Sequence, residues 1–284
     1  MTIELIPAEQ FTMQELTELY NQTRVDYIVP MPMNANRLGE YVRDFDIDLA
    51  RSCVAQAGDG QMLGLCMLGV RQNRVWITRL GVLPSTRRSG VGSTLIDCML
   101  ENAHSLGIEE VQLEVIKNNA PAYNLFLCKN FTETGEYLVF RRAPHSTPGM
   151  SLGTVNWLNR NEALGILQSY PNHLTWINAL ESMQNAPDIE GLRLGLPNGS
   201  EGWLVFRNTK FTLRSTLSHL VIHTEKGDST EVGTQLLLNL HIQYPHHDTY
   251  AENIHISDPH LPALRALGYF ENFSRIEMRR LSTI

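Results

Sequence analysis

Arg87-Arg88-Ser89-Gly90-Val91-Gly92 lies between an apolar run and an amphipathic segment, and its reading decides the fold. Upstream, Val75-Trp76-Ile77-Thr78-Arg79-Leu80-Gly81-Val82-Leu83-Pro84 reads as a strand stopped by a proline. Downstream, Val91, Leu95, Met99 and Ala103 recur at helical spacing. A glycine-rich turn with two arginines, opening a helix, suits a phosphate-bearing ligand. First-turn N–H groups have no partner inside the helix, and the positive end of the helix dipole points the same way. Gly90 and Gly92 lack Cβ atoms and so permit close approach of backbone and phosphate.

The loop is not of the nucleoside-triphosphate type, because no lysine follows the glycines. A dinucleotide fingerprint needs a third glycine, where Leu95 stands, and should follow the first strand of its domain. The remaining pattern, Val82-x-Pro84-x-x-Arg87-x-x-Gly90-x-Gly92, resembles the acyl-CoA pyrophosphate loop of the GNAT superfamily of N-acyltransferases. A second stretch, Asn119-Ala120-Pro121-Ala122-Tyr123-Asn124-Leu125-Phe126-Leu127-Cys128-Lys129-Asn130-Phe131, is similar to that family's Asn-x-x-Ala-x-x-Leu-Tyr-x-x-x-Gly-Phe signature. Two positions depart from it. Asn130 replaces glycine, a mild change because asparagine tolerates left-handed backbone. Phe126 replaces the tyrosine that often protonates the departing CoA thiolate, and phenylalanine has no proton to give.

The resemblance implies an α/β fold in which a mixed central sheet is flanked by helices. It implies a thioester held where Arg74–Val82 and Val111–Ile116 splay apart. Pantetheine is expected beside Leu80, Gly81 and Val82. The pyrophosphate is expected on amides from Arg88 through Ser89, Gly90, Val91, Gly92 and Ser93, with Arg87 and Arg88 adding charge at a water-screened rim. Asn119 and Phe126 fall on the cofactor-lining signature. A backbone N–H near Val82 would serve the oxyanion. Tyr123, one helical turn before Phe126, is the substitute acid or a packing tyrosine. Trp76 occupies the strand position where relatives carry a glutamate base. Glu114, on the facing strand, is the remaining carboxylate, as a base or as a hydrogen-bonded structural group.

The pattern along residues 1–143 is that of one such domain. Ile3–Ile6 reads as a strand, Glu9–Tyr20 and Asn34–Phe45 as helices, Cys53–Ala57 with Met62–Val70 as a hairpin, and Thr132–Arg142 as closing strands. Residues 144–153, beginning Pro144-His145-Ser146-Thr147-Pro148-Gly149, read as a linker. Residues 154–284 repeat the pattern faintly: Leu125–Arg142 aligns without gaps on Ala263–Arg280, and Gly90-Val91-Gly92-Ser93 falls on Glu231-Val232-Gly233-Thr234. Asp228 stands at the arginine place. Two like charges about 4 Å apart repel by on the order of 4 kcal/mol at an effective dielectric of about 20, so this second, degenerate copy is expected to lack the ligand.

The net charge of −7 argues against a nucleic-acid partner. No apolar run suits a membrane span, the N-terminus does not read as a signal peptide, and Cys53, Cys66, Cys98 and Cys128 read as reduced thiols of a cytoplasmic protein. His246-His247-Asp248 on a loop is a poor metal set, and no metal is expected. Asp44, Asp46 and Asp48 read as a solvated helix end or a lure for cationic amines. Tyr20, Asp26, Tyr27, Met31 and Met33 read as acceptor wall or core. The resemblance implies transfer of acetyl from acetyl-CoA to a primary amine of a small molecule or peptide, by direct attack in a ternary complex. The alternative is a CoA-binding sensor or protein-interaction module without turnover. A monomeric pseudo-dimer and a homodimer both fit.

Overall fold

The computed structural model describes residues 2–147, 149–171, 174–210 and 215–281. Pro148 of the expected linker lies outside them. The chain divides into two compact units, one of Met1–Gly135 with Ile276–Ile284, the other of Glu136–Arg275. No helix among the described residues is long and apolar enough to cross a membrane.

The first unit begins with strand β1 (Ile3–Pro7), helix α1 (Met13–Gln22) and helix α2 (Ala35–Asp44). Helix α1 starts later than hydrophobic spacing predicts because Thr12 and Glu15 close a reciprocal capping box. Strands β2 (Cys53–Ala57), β3 (Met62–Arg71) and β4 (Arg74–Val82) follow, each antiparallel to the one before. Helix α3 (Val91–Ser105) then sinks Val91, Leu95, Ile96, Met99 and Ala103 into the core. Strand β5 (Glu110–Ile116) runs parallel to β4, so the sheet is mixed, as the sequence predicts. Helix α4 (Ala120–Cys128) and strand β6 (Thr132–Arg142) come next. Cys53 of β2 and Cys98 of α3 lie side by side where α3 packs over β2, a proximity their 45-residue separation hides. Cys66, buried, and Cys128, exposed, are free.

The second unit repeats this order: β7 (Thr154–Leu158), α5 (Arg160–Ser169), α6 (Leu180–Asn185), β8 (Ile189–Gly195), β9 (Glu201–Lys210), β10 (Ser215–Lys226), α7 (Ser229–Gln243), β11 (Asp248–His255), α8 (Leu261–Ala266) and β12 (Phe270–Leu281). Strand β10 is antiparallel to β9 and parallel to β11, the counterparts of β3, β4 and β5.

The closing strands are where the structure departs from the sequence reading. Thr132–Arg142 is one strand, and its second half pairs antiparallel with β11, Tyr137 opposite His255 and Arg142 opposite Thr249. Leu138 and Phe140 lie in the core of the second unit, whereas Ile276 and Met278 of β12 lie in the core of the first. The aligned arginine pairs follow the same rule. Arg141 forks onto Asp248 at the start of β11, and Arg142 donates to the Leu267 carbonyl that ends α8. Arg279 bonds Glu110 at the start of β5, and Arg280 donates to the Lys129 carbonyl that ends α4. Each unit is thus completed by a strand from the far copy of the repeat.

Candidate functional site

The ladder between β4 and β5 is short. Pairing runs from Arg74 opposite Glu110 to Ile77 opposite Leu113 and stops there. Beyond Ile77, β4 carries one extra residue against β3, since Leu65 faces Gly81 but Met67 faces Thr78. Arg79 takes φ +54° to make room. A bulge of this kind bends the strand that holds it and turns its backbone groups away from the former ladder. The two parallel strands therefore diverge over Thr78–Val82, leaving a notch. Gly64 and Gly81 let β3 and β4 approach at this point: a Cβ on Gly64 would strike the Gly81 carbonyl oxygen.

Pro84–Thr86 makes one tight turn after the notch, and the chain enters α3 through Arg88 at φ +63° and Gly90 at φ +94°. Gly90 is the N-cap of α3 and supplies no side-chain cap, so the helix presents its first-turn amides uncapped. A Cβ on Gly90 would meet nothing within 4 Å, so the loop is open on that side. Gly92 lies against Val82 and Leu125, which brings the α3 terminus, the notch and α4 to one place.

Aromatic rings and two guanidiniums line the α1 side of the notch. The Arg24 guanidinium stacks over Tyr20 at 4.2 Å and Tyr27 at 5.1 Å, and Arg79 stacks over Tyr41 at 4.1 Å. Arg79 also donates to the Tyr20 hydroxyl at 3.0 Å. Tyr41 and Thr78 share a hydrogen bond of 2.7 Å, and burial pushes the Tyr41 hydroxyl pKa up. Trp76 donates its indole N–H to Glu114 at 2.8 Å. No motif in the sequence marks Arg24, Arg79, Tyr41 or Thr78. An arginine just past a helix end reads as solvated, and only the bulge turns Arg79 toward Tyr20.

The expected phosphate-site residues divide. Arg88, Ser89 and Gly90 are exposed at the loop, while Gly92 and Ser93 are half-buried in the first turn of α3 and Val91 turns its side chain into the core. Arg87, read as rim charge, forks onto Asp26 at 2.7 Å through both terminal nitrogens and holds that carboxyl below the usual carboxylate range. It also donates to the Val82 carbonyl at 3.3 Å, while Arg24 donates to the Leu80 carbonyl at 3.2 Å. Asn119 caps α4 and donates to the Tyr27 hydroxyl at 3.3 Å. Phe126 is a core residue, edge-on to Phe131. Tyr123 donates its hydroxyl to Glu133, and that bond raises its pKa. The three clustered aspartates are each taken by an arginine: Asp44 by Arg43, Asp46 by Arg71 and Asp48 by Arg51.

The second unit keeps the notch and changes the loop. Among the described residues, strands β10 and β11 pair only at Thr216–Asp248 and Leu217–Thr249, and His219 takes φ +53° at an irregularity between Ser218 and Val221. The helix behind it is closed. Asp228 caps α7 by accepting from the Glu231 amide at 2.8 Å, and Asn198 donates to both Glu231 oxygens at 3.1 and 3.0 Å. Glu231, aligned with Gly90, therefore sits inside the first turn of its helix instead of ahead of it. Asp248, part of the histidine-rich triplet, is 1% exposed and bound by Arg141.

Residues 13–129 match the acetyltransferase (GNAT) family. The mycothiol acetyltransferase of Clavibacter michiganensis subsp. michiganensis (strain NCPPB 382) is 31% identical over 111 residues, which cover 39% of this chain and 36% of that protein. The fold is similar along its whole length to two solved structures. A tandem GNAT protein from the clavulanic acid biosynthesis pathway superposes with a TM-score of 0.72 at 13% identity, covering 100% of this chain and 99% of that one. A GCN5-related N-acetyltransferase from Sphaerobacter thermophilus superposes with a TM-score of 0.70 at 12% identity, covering 99% and 97%.

Proposed function

We propose that residues 13–129, which match the acetyltransferase (GNAT) family, are its catalytic domain here, and that the chain is an N-acetyltransferase moving acetyl from acetyl-CoA to a primary amine of a small molecule or peptide. One observation carries the reading: the splayed end of β4 leads directly into an uncapped helix N-terminus. A thioester laid along β4 then meets a notch at its acyl end and bare amides at its phosphate end. The amides of Arg88 to Ser93 and the Arg88 side chain take the pyrophosphate. Leu80, Gly81 and Val82 border the pantetheine, with Asn119 at the mouth of α4. Arg87 orders the loop by clamping Asp26.

The amine nitrogen attacks the thioester carbonyl carbon while both substrates are bound. The C–N bond forms, charge gathers on the carbonyl oxygen, and a backbone N–H near Val82 stabilises it. Collapse restores the carbonyl and breaks the C–S bond. Tyr123 donates the proton to the departing sulfur; its hydroxyl is positioned by Glu133, whose hydrogen bond raises the Tyr123 pKa. Glu114 takes the proton lost by the attacking amine; its contact with Trp76 supports a fixed orientation.

The self-capped α7 supports a single CoA site, in the first unit, with the copies taken as 1–143 and 154–284 joined by 144–153. The reading takes the protein as cytoplasmic, without nucleic-acid, membrane or metal partners, and as a monomeric pseudo-dimer or a homodimer. The buried Phe126 favours a second reading, a CoA-binding module without turnover. Acetyl-CoA consumption across an amine panel decides between them. Gly90→Glu serves as control, since a side chain and a negative charge at the open loop must abolish binding. Equal turnover by that variant overturns the site.

A further inference from the structure

The Arg24 guanidinium stands beside the notch with no carboxylate partner among the described residues. Its terminal nitrogens donate to Thr23 Oγ1 at 3.1 Å and to the Leu80 carbonyl at 3.2 Å, both neutral acceptors. Its Nε is buried with no partner. A guanidinium has five N–H donors, so most of this one's hydrogen-bonding capacity is unused. A second cation, Arg79, and the uncharged hydroxyls of Tyr20, Tyr27 and Tyr41 surround Arg24, and burial, then Arg79, lowers its pKa. Asp26, two residues along the chain, is held by the Arg87 fork, and Glu114 accepts from the Trp76 indole. A partly buried cation facing another cation is unfavourable by itself, and such a site is built for an anion that arrives with the substrate. Arg24 and Arg79 are half-buried, so both remain reachable, and the guanidinium plane is fixed by the Tyr20 and Tyr27 rings.

We propose that Arg24 binds a carboxylate carried by one of the two reacting substrates, so that the transfer site is selective for acidic amines or, by the same chemistry, for an acidic acyl group. This rests on the acetyltransferase reading and names the substrate class of that site. A planar fork held against aromatic rings matches a carboxylate in two-point geometry, which a compact ammonium does not reproduce.

The test compares amino acids with their neutral amides as acceptors of acetyl from acetyl-CoA, and acetyl-CoA with succinyl-CoA on a neutral amine. The full-length protein, Arg24→Gln and Arg24→Lys are measured together. The expected result is at least a tenfold preference in kcat/KM for the acid over its amide, or for succinyl-CoA over acetyl-CoA. Arg24→Gln should lose that preference by lowering only the rate of the acidic substrate, and Arg24→Lys should keep part of it. A preference in the acceptor arm places the carboxylate on the amine; one in the acyl arm places it on the thioester. No preference in either arm, or an equal loss for acidic and neutral substrates, overturns the proposal. Calorimetry with acetyl-CoA separates this from the parent reading, because failure to bind acetyl-CoA defeats the acetyltransferase assignment itself. If no amine turns over, binding of amino acids and their amides to the CoA-loaded protein decides, and equal affinities overturn the proposal.

Discussion

Met278→Ala is expected to loosen the unit that holds the Arg87–Gly92 loop although it lies nearly two hundred residues from that loop in the chain. Met278 is fully buried in the core that holds Leu95, Met99 and Val111. Removing a buried methionine side chain costs about 2–5 kcal/mol through lost transfer energy and a residual cavity. A loss of even about 2 kcal/mol multiplies opening by roughly 30-fold. Phe140→Ala is the mirror perturbation. Phe140 is 1% exposed in the core with Leu204, Leu217 and Leu237, and its truncation costs about 3–5 kcal/mol. Native-state hydrogen exchange, read at Leu95 and Val111 for the first unit and at Leu204 and Leu237 for the second, reports each separately. Met278→Ala should accelerate the first pair, and Phe140→Ala the second. Acceleration in the opposite unit would refute the strand assignment, and equal acceleration in both would refute two separate cores. Deleting residues 150–284 should therefore unfold the remaining half, because it takes away the strand carrying Ile276 and Met278.

Gly90→Ala should destabilise the first unit by about 1–2 kcal/mol in a thermal melt, the cost of left-handed backbone at φ +94°, since the added methyl meets no neighbour. Calorimetry on the same variant should show weaker acetyl-CoA binding. Tyr123→Phe should lower kcat by about tenfold or more while leaving the KM for acetyl-CoA unchanged, and a kcat within twofold of the parent would count against Tyr123 as the acid. Glu133→Gln should move the alkaline limb of the kcat–pH profile downward, because Glu133 is what raises the Tyr123 pKa. His241, wholly buried against Tyr269, has its pKa pushed down to about 3, first by burial and then by Arg142 and His145. The unfolded chain binds a proton there below about pH 6.5 that the folded chain refuses, so stability falls as pH drops from 6.5 toward 3. Urea melts should show about 2 kcal/mol lost between pH 6.5 and 5 from this group, and His241→Gln should remove that portion of the slope.

Much of the architecture is written in short-range pattern. The strand, proline, glycine pair and helix around Arg87–Gly92 need only local sterics, and Gly90 is required wherever the chain must enter α3 at positive φ. The capping box at Thr12 and the proline at the start of α4 are equally local. The gapless alignment of Leu125–Arg142 on Ala263–Arg280 reveals the repeat, and the arginine pairs at its end make matching contacts in the two units. The site itself is less legible. Phe126 and Tyr123 share a helix face on paper, yet one is drawn into the core and the other toward Glu133. Arg87 belongs to the phosphate pattern, yet Asp26 claims its fork.

The sequence by itself determined the element order, the notch-to-loop signature and the loss of that signature in the second copy, because these depend on backbone freedom and on charge at neighbouring positions. The tertiary structure alone decided which core each closing strand joins, and that Arg24 comes to the notch without a counter-ion among the described residues. Both depend on which distant side chains exclude water together, and hydrophobic pattern names the faces that must be buried without naming the partners that bury them.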